Sequence, residues 1–199
     1  MSGQTPSTSI SGIILTGFMG AGKTTVGALL ASRLGWRFVD SDRVVEDRTG
    51  MSVAALFERR GESEFRQLEA EVIRETTEGG RIVLALGGGA LESAATRDFL
   101  LSLAGWRMVF LDAPLETLIG RCAEQANAPV RPVLRDRERL AERWQARLPG
   151  YSQAHRTVAT TDRTPEAVAA AIVAAVFGET TGEPVGAAVQ ANSARGARA

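Results

Sequence analysis

The stretch Gly17-Phe18-Met19-Gly20-Ala21-Gly22-Lys23-Thr24 fits the pattern G-x-x-x-x-G-K-[ST], and its flanks narrow what can fold around it. Ile13-Ile14-Leu15 precedes it as an apolar run long enough for a buried strand. Val26, Leu29, Leu30 and Leu34 follow at helical spacing up to Gly35, a C-cap residue. A strand, a glycine-rich turn and a helix N-terminus gather several backbone N–H groups around one small volume. The helix dipole adds positive potential there, so the volume suits a di- or triphosphate. Glycines serve because side chains would keep the phosphate oxygens away. Lys23 would reach the β- and γ-phosphates, and the Thr24 hydroxyl would sit on Mg²⁺. An ordinary strand-to-helix turn with a solvated lysine is the other reading; the agreement of strand, loop and helix argues against it.

Beyond this motif, apolar strand-like runs alternate with amphipathic helical ones. Strands are expected at Ile13–Thr16, Phe38–Asp40, Ile82–Leu86, Met108–Leu111 and Thr157–Thr160. Helices are expected around Thr24–Leu34, Val53–Arg60, Ser63–Glu78, Ser93–Ala104, Leu115–Cys122, Arg137–Arg147 and Pro165–Phe177. Such alternation predicts an α/β fold: a parallel sheet with helices on both faces and a site at the strand C-terminal ends.

The bulk composition bounds the function. With 199 residues, 44% of them hydrophobic, the chain has enough material for one well-cored domain and hardly two. Lys plus Arg equals Asp plus Glu at 23 each, so no basic excess argues for a nucleic-acid partner. The single cysteine, Cys122, allows neither an internal disulfide nor a cysteine-based zinc site. No apolar stretch approaches the roughly 20 residues of a membrane helix, and Met1 to Ser9 lacks the order of a signal peptide. A soluble, cytoplasmic monomer with no membrane partner is the expectation. Residues 1–11 and 178–199, rich in Ser, Thr, Gly and Ala, read as disordered tails around a domain spanning 12–177.

A phosphate-binding loop does not say what the nucleotide is for, so the other strand ends must discriminate. The second strand ends in Asp40-Ser41-Asp42, where alternation on an extended segment points both carboxylates the same way. One would hold Mg²⁺ through water and the other accept from a substrate hydroxyl; alternatively, Asp42 is a helix N-cap with Asp40 solvated. The third strand runs into Gly87-Gly88-Gly89, which suits backbone N–H groups lying against a ligand, or a merely flexible turn. Arg66 either pairs with Glu62 one turn back or aims its planar fork at a ligand carboxylate, and spacing leaves both open. Phe57 and Phe65 read as core supports.

Arg135, Arg139, Arg143 and Arg147 recur at i,i+4. Glu138 and Glu142 relieve the first members, which makes Arg139 and Arg143 a solvated stripe. Arg147 has no acidic residue three or four positions away and is the member to send to an anionic ligand. Asn127-Ala128-Pro129-Val130-Arg131-Pro132 reads as a non-helical flap that would deliver Arg131 to the transferring phosphoryl group. His155 has nothing acidic or nucleophilic around it and is not expected to be catalytic.

Taken in order, GFMGAGKTT, FVDSD, GESEFR, LALGGGA, VFLDAPLETL, PVRPVL and ARLPGY resemble the shikimate kinase family across nearly all of Ile13 to Phe177. The resemblance implies a three-layer P-loop kinase fold of the nucleoside-monophosphate-kinase kind, with a five-stranded parallel sheet and a lid at about 122–136. It implies that ATP phosphorylates the 3-hydroxyl of shikimate on the route to chorismate and the aromatic amino acids. Gly20, Ala21, Gly22, Lys23, Thr24 and Thr25 would hold the ATP phosphates, and Thr24 would bind Mg²⁺. Asp42, Arg66, Gly88 and Arg147 would surround shikimate. Asp42 would activate the attacking hydroxyl, the two arginines would clamp the carboxylate, and Gly88 would lend an N–H. Arg131 would be the lid arginine on ATP, and Arg163 would pack on adenine.

The sequence departs from a simple Walker-B pattern. Met108-Val109-Phe110-Leu111-Asp112 has that appearance, yet the resemblance favours Asp40 as the water-mediated metal partner; both stay open. Arg121 is left out of the adenine contacts. The rival functions are a kinase for another small polyol acid such as gluconate, and a nucleotide-binding regulatory module without catalysis. The presence of Lys23, Asp42 and Arg131 argues against the second.

Overall fold

The computed structural model describes residues 10–124 and 137–178. Five strands form one parallel sheet in the order β2-β3-β1-β4-β5. They are β1 (Gly12–Thr16), β2 (Arg37–Asp40), β3 (Ile82–Ala85), β4 (Trp106–Asp112) and β5 (Arg156–Ala159). β1 and β3 are buried along their whole length, which is why they read as unbroken apolar runs. Ile14 lies opposite Leu84 on one side and Met108 on the other, so β1 is the middle of the sheet and of the main core.

The helices fall where they are expected, apart from Ser41–Thr49. They are α1 (Lys23–Leu34), α2 (Ser41–Thr49), α3 (Val53–Thr77), α4 (Ala94–Ser102), α5 (Leu115–Glu124), α6 (Arg137–Tyr151) and α7 (Pro165–Phe177), with a short 3₁₀ turn at Ala90–Glu92. α1 starts from Gly22 at φ 87° with no side-chain cap, which leaves its first N–H groups for a ligand. It ends at Gly35 at φ 66°, the expected C-cap. The two expected helices Val53–Arg60 and Ser63–Glu78 run together as α3, broken by the non-helical Gly61 at φ 84°.

α2 corrects the reading of Asp40-Ser41-Asp42 as an extended segment. The chain turns helical at Ser41, with Asp40 as N-cap accepting from the Arg43 N–H, so Asp42 lies in the first turn. Only Ser41 and Val45 are buried on this polar helix, so it shows no apolar period. A second, smaller cluster of Val45, Leu56, Phe65 and Val72 packs α2 against α3, apart from the main core. That cluster carries the segment bearing Arg66.

One glycine marks how closely neighbouring strands pack: Gly12 on β1 lies opposite Trp106 on β4. A Cβ at Gly12 would lie 2.3 Å from the indole of Trp106, itself 3% exposed. Gly12→Ala should therefore cost about 1–3 kcal/mol through overpacking, read as a lower midpoint in urea unfolding with an unchanged slope.

Candidate active site

A cleft of about 320 Å³ opens at the C-terminal ends of β1, β2 and β3. At one end lies the phosphate loop, whose Lys23 Nζ donates to the carbonyls of Gly17 (2.8 Å) and Phe18 (3.0 Å). Ala21 is buried beneath the loop and Thr25 is exposed on the first turn of α1. Thr24 Oγ1 donates to Asp40 Oδ2 at 2.8 Å, so a hydroxyl and a carboxylate already meet there. This pair of hard oxygen donors fits Mg²⁺. The described residues hold no cluster of three or more His, Cys, Asp or Glu side chains that would cage a metal. Phosphate oxygens and water would thus complete its shell. Asp112 does not line the cleft; burial raises its pKa, and its carbonyl accepts from the Thr160 N–H at 2.8 Å.

At the other end α2, α3 and α6 converge on the triple glycine. Ser41 Oγ accepts from the Gly87 N–H at 2.9 Å, tying the end of β2 to the end of β3. At two of the three glycines a side chain would crowd its neighbours. A Cβ at Gly87 would lie 2.4 Å from Asp42 Oδ1 and 2.5 Å from Glu69 Oε1. At Gly89 a Cβ would lie 2.3 Å from Arg66 Nη2 and 2.9 Å from Arg147 Nη2. Tyr151, stacked on Phe110, donates its hydroxyl to the Gly88 carbonyl, while the Gly88 N–H has no protein partner among the described residues. Close approach rather than a flexible turn accounts for Gly87 and Gly89, whereas a Cβ at Gly88 would lie 3.4 Å or more from its neighbours, an ordinary contact.

The electrostatics of this end are unusual. Burial, then the neighbouring Asp40, raises the pKa of Asp42, whose Oδ1 is buried without a partner. Glu69 is 2% exposed, and burial pushes its pKa up to about 7 against the opposing pull of Arg66. Arg66 Nη1 donates to Glu69 Oε2 at 2.7 Å and Nη2 to Glu62 Oε1 at 3.1 Å, while Arg66 also lines the cleft. Arg66 therefore makes the expected Glu62 pair while facing the cleft. Arg147 has its acidic partner after all, Glu92 on the 3₁₀ turn, which accepts from Nε.

Most of the expected residues meet in this cleft: Gly20, Gly22, Lys23, Thr24, Asp40, Asp42, Arg66, Gly88 and Arg147 all line it. Arg163 does not; it is exposed on the loop between β5 and α7, at the same edge of the sheet. Arg131 and most of the segment 122–136 lie outside the described residues. Arg121 is held by the hydroxyl and carbonyl of Thr160 at 2.9 and 2.6 Å. Arg143, read as part of a solvated stripe, lines the cleft. His155 lies away from the site, its Nδ1 accepting from the Met108 N–H at 2.9 Å. Its pKa is lowered by burial first, then by Arg107 and Arg156.

Glu69, Glu92, Ser41 and Tyr151 were missed from the sequence. Glu69 had one usable signal, its i,i+3 spacing from Arg66; the other three join the site only through tertiary contact.

The family model described as shikimate kinase matches residues 19–177. A shikimate kinase of Psychrobacter arcticus is 40% identical over 152 residues, covering 76% of this chain and 81% of that protein. One of Geobacter metallireducens is 40% identical over 162 residues, covering 81% and 89%. Among solved structures, the shikimate kinase of Acinetobacter baumannii in complex with shikimate superposes with a TM-score of 0.77. It is 35% identical and covers 85% of this chain and 94% of that one. A gluconokinase of Sinorhizobium meliloti has a TM-score of 0.57 at 18% identity over 84% of this chain and 92% of its own, a likeness of fold alone.

The buried Glu69 makes stability depend on pH with a definite sign. Its folded pKa of about 7 exceeds the ordinary 4.5, so the stability it contributes is whole below about 4.5 and lost as pH rises through 7. Urea unfolding between about pH 5 and about pH 8 should show the natural chain losing on the order of 3 kcal/mol relative to Glu69→Gln.

Proposed function

The chain belongs to the shikimate kinase family, and from that premise we propose which of its residues perform the reaction. The enzyme is an ATP-dependent phosphotransferase with an alcohol acceptor, transferring the γ-phosphoryl group of ATP to the 3-hydroxyl of shikimate. One observation carries the assignment: the guanidinium groups of Arg66 and Arg147 converge on Gly89 while Asp42 faces Gly87, in the cleft that holds Lys23.

Arg66 and Arg147 clamp the shikimate carboxylate, the bidentate work for which a planar fork is suited. The Gly88 N–H donates to a ring oxygen. Asp42 accepts the proton of the attacking 3-hydroxyl as the new O–P bond forms, and the electron pair of the breaking bridge bond leaves with ADP. Its raised pKa supports the role, since a carboxylate held partly out of water takes a proton more readily. Lys23, now engaged with the Gly17 and Phe18 carbonyls, is close enough to the α1 N-terminus to serve the β- and γ-phosphates. Gly20, Ala21, Gly22, Thr24 and Thr25 cradle those phosphates.

Thr24 and Asp40 would hold Mg²⁺, Asp40 through water; the hydrogen bond between them supports Asp40 over Asp112. When bound, the ion neutralises phosphate charge. Arg131 as the lid arginine and Arg163 against adenine rest on the family resemblance. The working unit is taken as residues 12–177, a cytoplasmic monomer with terminal tails. No helix among the described residues is long and apolar enough to cross a membrane.

ADP release measured with shikimate against gluconate should strongly favour shikimate. Asp42→Asn should cut turnover by at least about 100-fold while leaving ATP affinity nearly unchanged; equal loss of ATP binding would count against this placement of Asp42. Arg66→Ala or Arg147→Ala should weaken shikimate binding in calorimetry by roughly 2–5 kcal/mol.

A further inference from the structure

Two cations side by side need an anion to hold them there. Arg66 and Arg147 both bring Nη2 to Gly89, and like charges at such separation repel by an amount comparable to an ion pair. Glu69 and Glu62 serve Arg66. Arg147, with 12% of its side chain exposed, has Glu92 as its acidic partner among the described residues. The carboxylate of Glu92 spans the pair: Oε1 accepts from Arg147 Nε and Oε2 lies 3.9 Å from Arg66 Nη2.

The geometry says which face of each arginine remains for a ligand. Glu92 does not line the main cleft; it lines the shallow groove outside it, shared with Glu62, Arg66 and Arg147. It engages Nε, the donor at the base of the guanidinium. Arg147 Nη1 stays 3.4 Å from a Cβ position on Gly88, on the cleft side. Glu92 thus leaves the terminal nitrogens of Arg147 to the cleft side, where this arginine also hydrogen-bonds to the Tyr151 hydroxyl. Glu92 is itself held by the 3₁₀ turn, its N–H donating to the Gly89 carbonyl at 3.0 Å, so brace and glycine floor form one unit.

We propose that Glu92 is a positioning residue for the substrate carboxylate: it fixes Arg147 through Nε and screens it from Arg66, so that two adjacent guanidinium groups stand preformed as one clamp. This rests on the reading that Arg66 and Arg147 bind that carboxylate. The opposite role, a carboxylate competing for the Arg147 fork, requires Glu92 on that residue's terminal nitrogens inside the cleft; its hydrogen bond is to Nε, and it lines the groove outside.

The two roles predict opposite signs. Calorimetry and steady-state kinetics on the full chain would compare Glu92→Ala and Glu92→Gln with the natural residue, each also combined with Arg147→Ala. Preorganisation predicts that Glu92→Ala raises the shikimate Kd and KM about tenfold, with kcat and the KM for ATP changing far less. Glu92→Gln, which keeps an acceptor but not the charge, should fall between. In the Arg147→Ala background the Glu92 substitution should add little, because its partner is gone. A side chain 41% exposed is not required for folding, and equal thermal midpoints would verify that. Unchanged or tighter shikimate binding in Glu92→Ala, with Arg147→Ala still damaging, would overturn the brace and leave the clamp standing. If Arg147→Ala itself left shikimate binding intact, the clamp would fail and the brace with it.

Discussion

The register of the parallel sheet sets the site. Leu15 on β1 and Asp40 on β2 both lie opposite Ala85 on β3, so three strands end at one level. From that level leave the phosphate loop, the Asp40-Ser41-Asp42 turn and the triple glycine. The hydrogen bond from the Gly87 N–H to Ser41 Oγ locks two of these exits together, and that from Thr24 to Asp40 locks the third. A slip of one residue would turn every side chain on a strand to the opposite face. It would separate the acid, the arginines and the phosphate loop at once.

What gathers there is poorly matched to folding alone. Asp42 Oδ1 and Glu69 Oε1 are buried without partners, and each such atom costs about 1–3 kcal/mol. Two guanidinium groups share the space above a glycine that offers no packing. A ligand rich in hydroxyls and carrying one carboxylate complements this set, since it supplies donors to the orphan oxygens and an anion to the arginines. Stability is set aside at one spot of an otherwise well-packed molecule, the pattern expected of a substrate pocket.

The fold was legible because its strongest signals are local. β1 and β3 are buried on both faces and so carry unbroken apolar runs, Ile13–Leu15 and Ile82–Ala85; α7 begins at Pro165 after the Thr164 cap and ends at Phe177, as its turn chemistry requires. α2 was not legible, since Val45 is its one buried apolar residue. Missing it led to the wrong account of why Asp42 faces inward: a helix turn, not strand alternation, aims it. Asp42, Arg66, Gly88 and Arg147 were found through the order of their motifs, and they do line one cleft.

Sequence alone determined the strand–loop–helix unit around Lys23, the alternation that makes a parallel sheet, and the motif set marking the family. Periodicity, capping and glycine placement are relations between chain neighbours, so a string of residues carries them. Only the tertiary structure decided that Glu69 would sit buried beside Asp42, that Tyr151 would take the Gly88 carbonyl, and that Glu92 would reach Arg147 across 55 positions. Those pairings depend on distances in space, which the sheet register sets and no spacing rule along the chain can express.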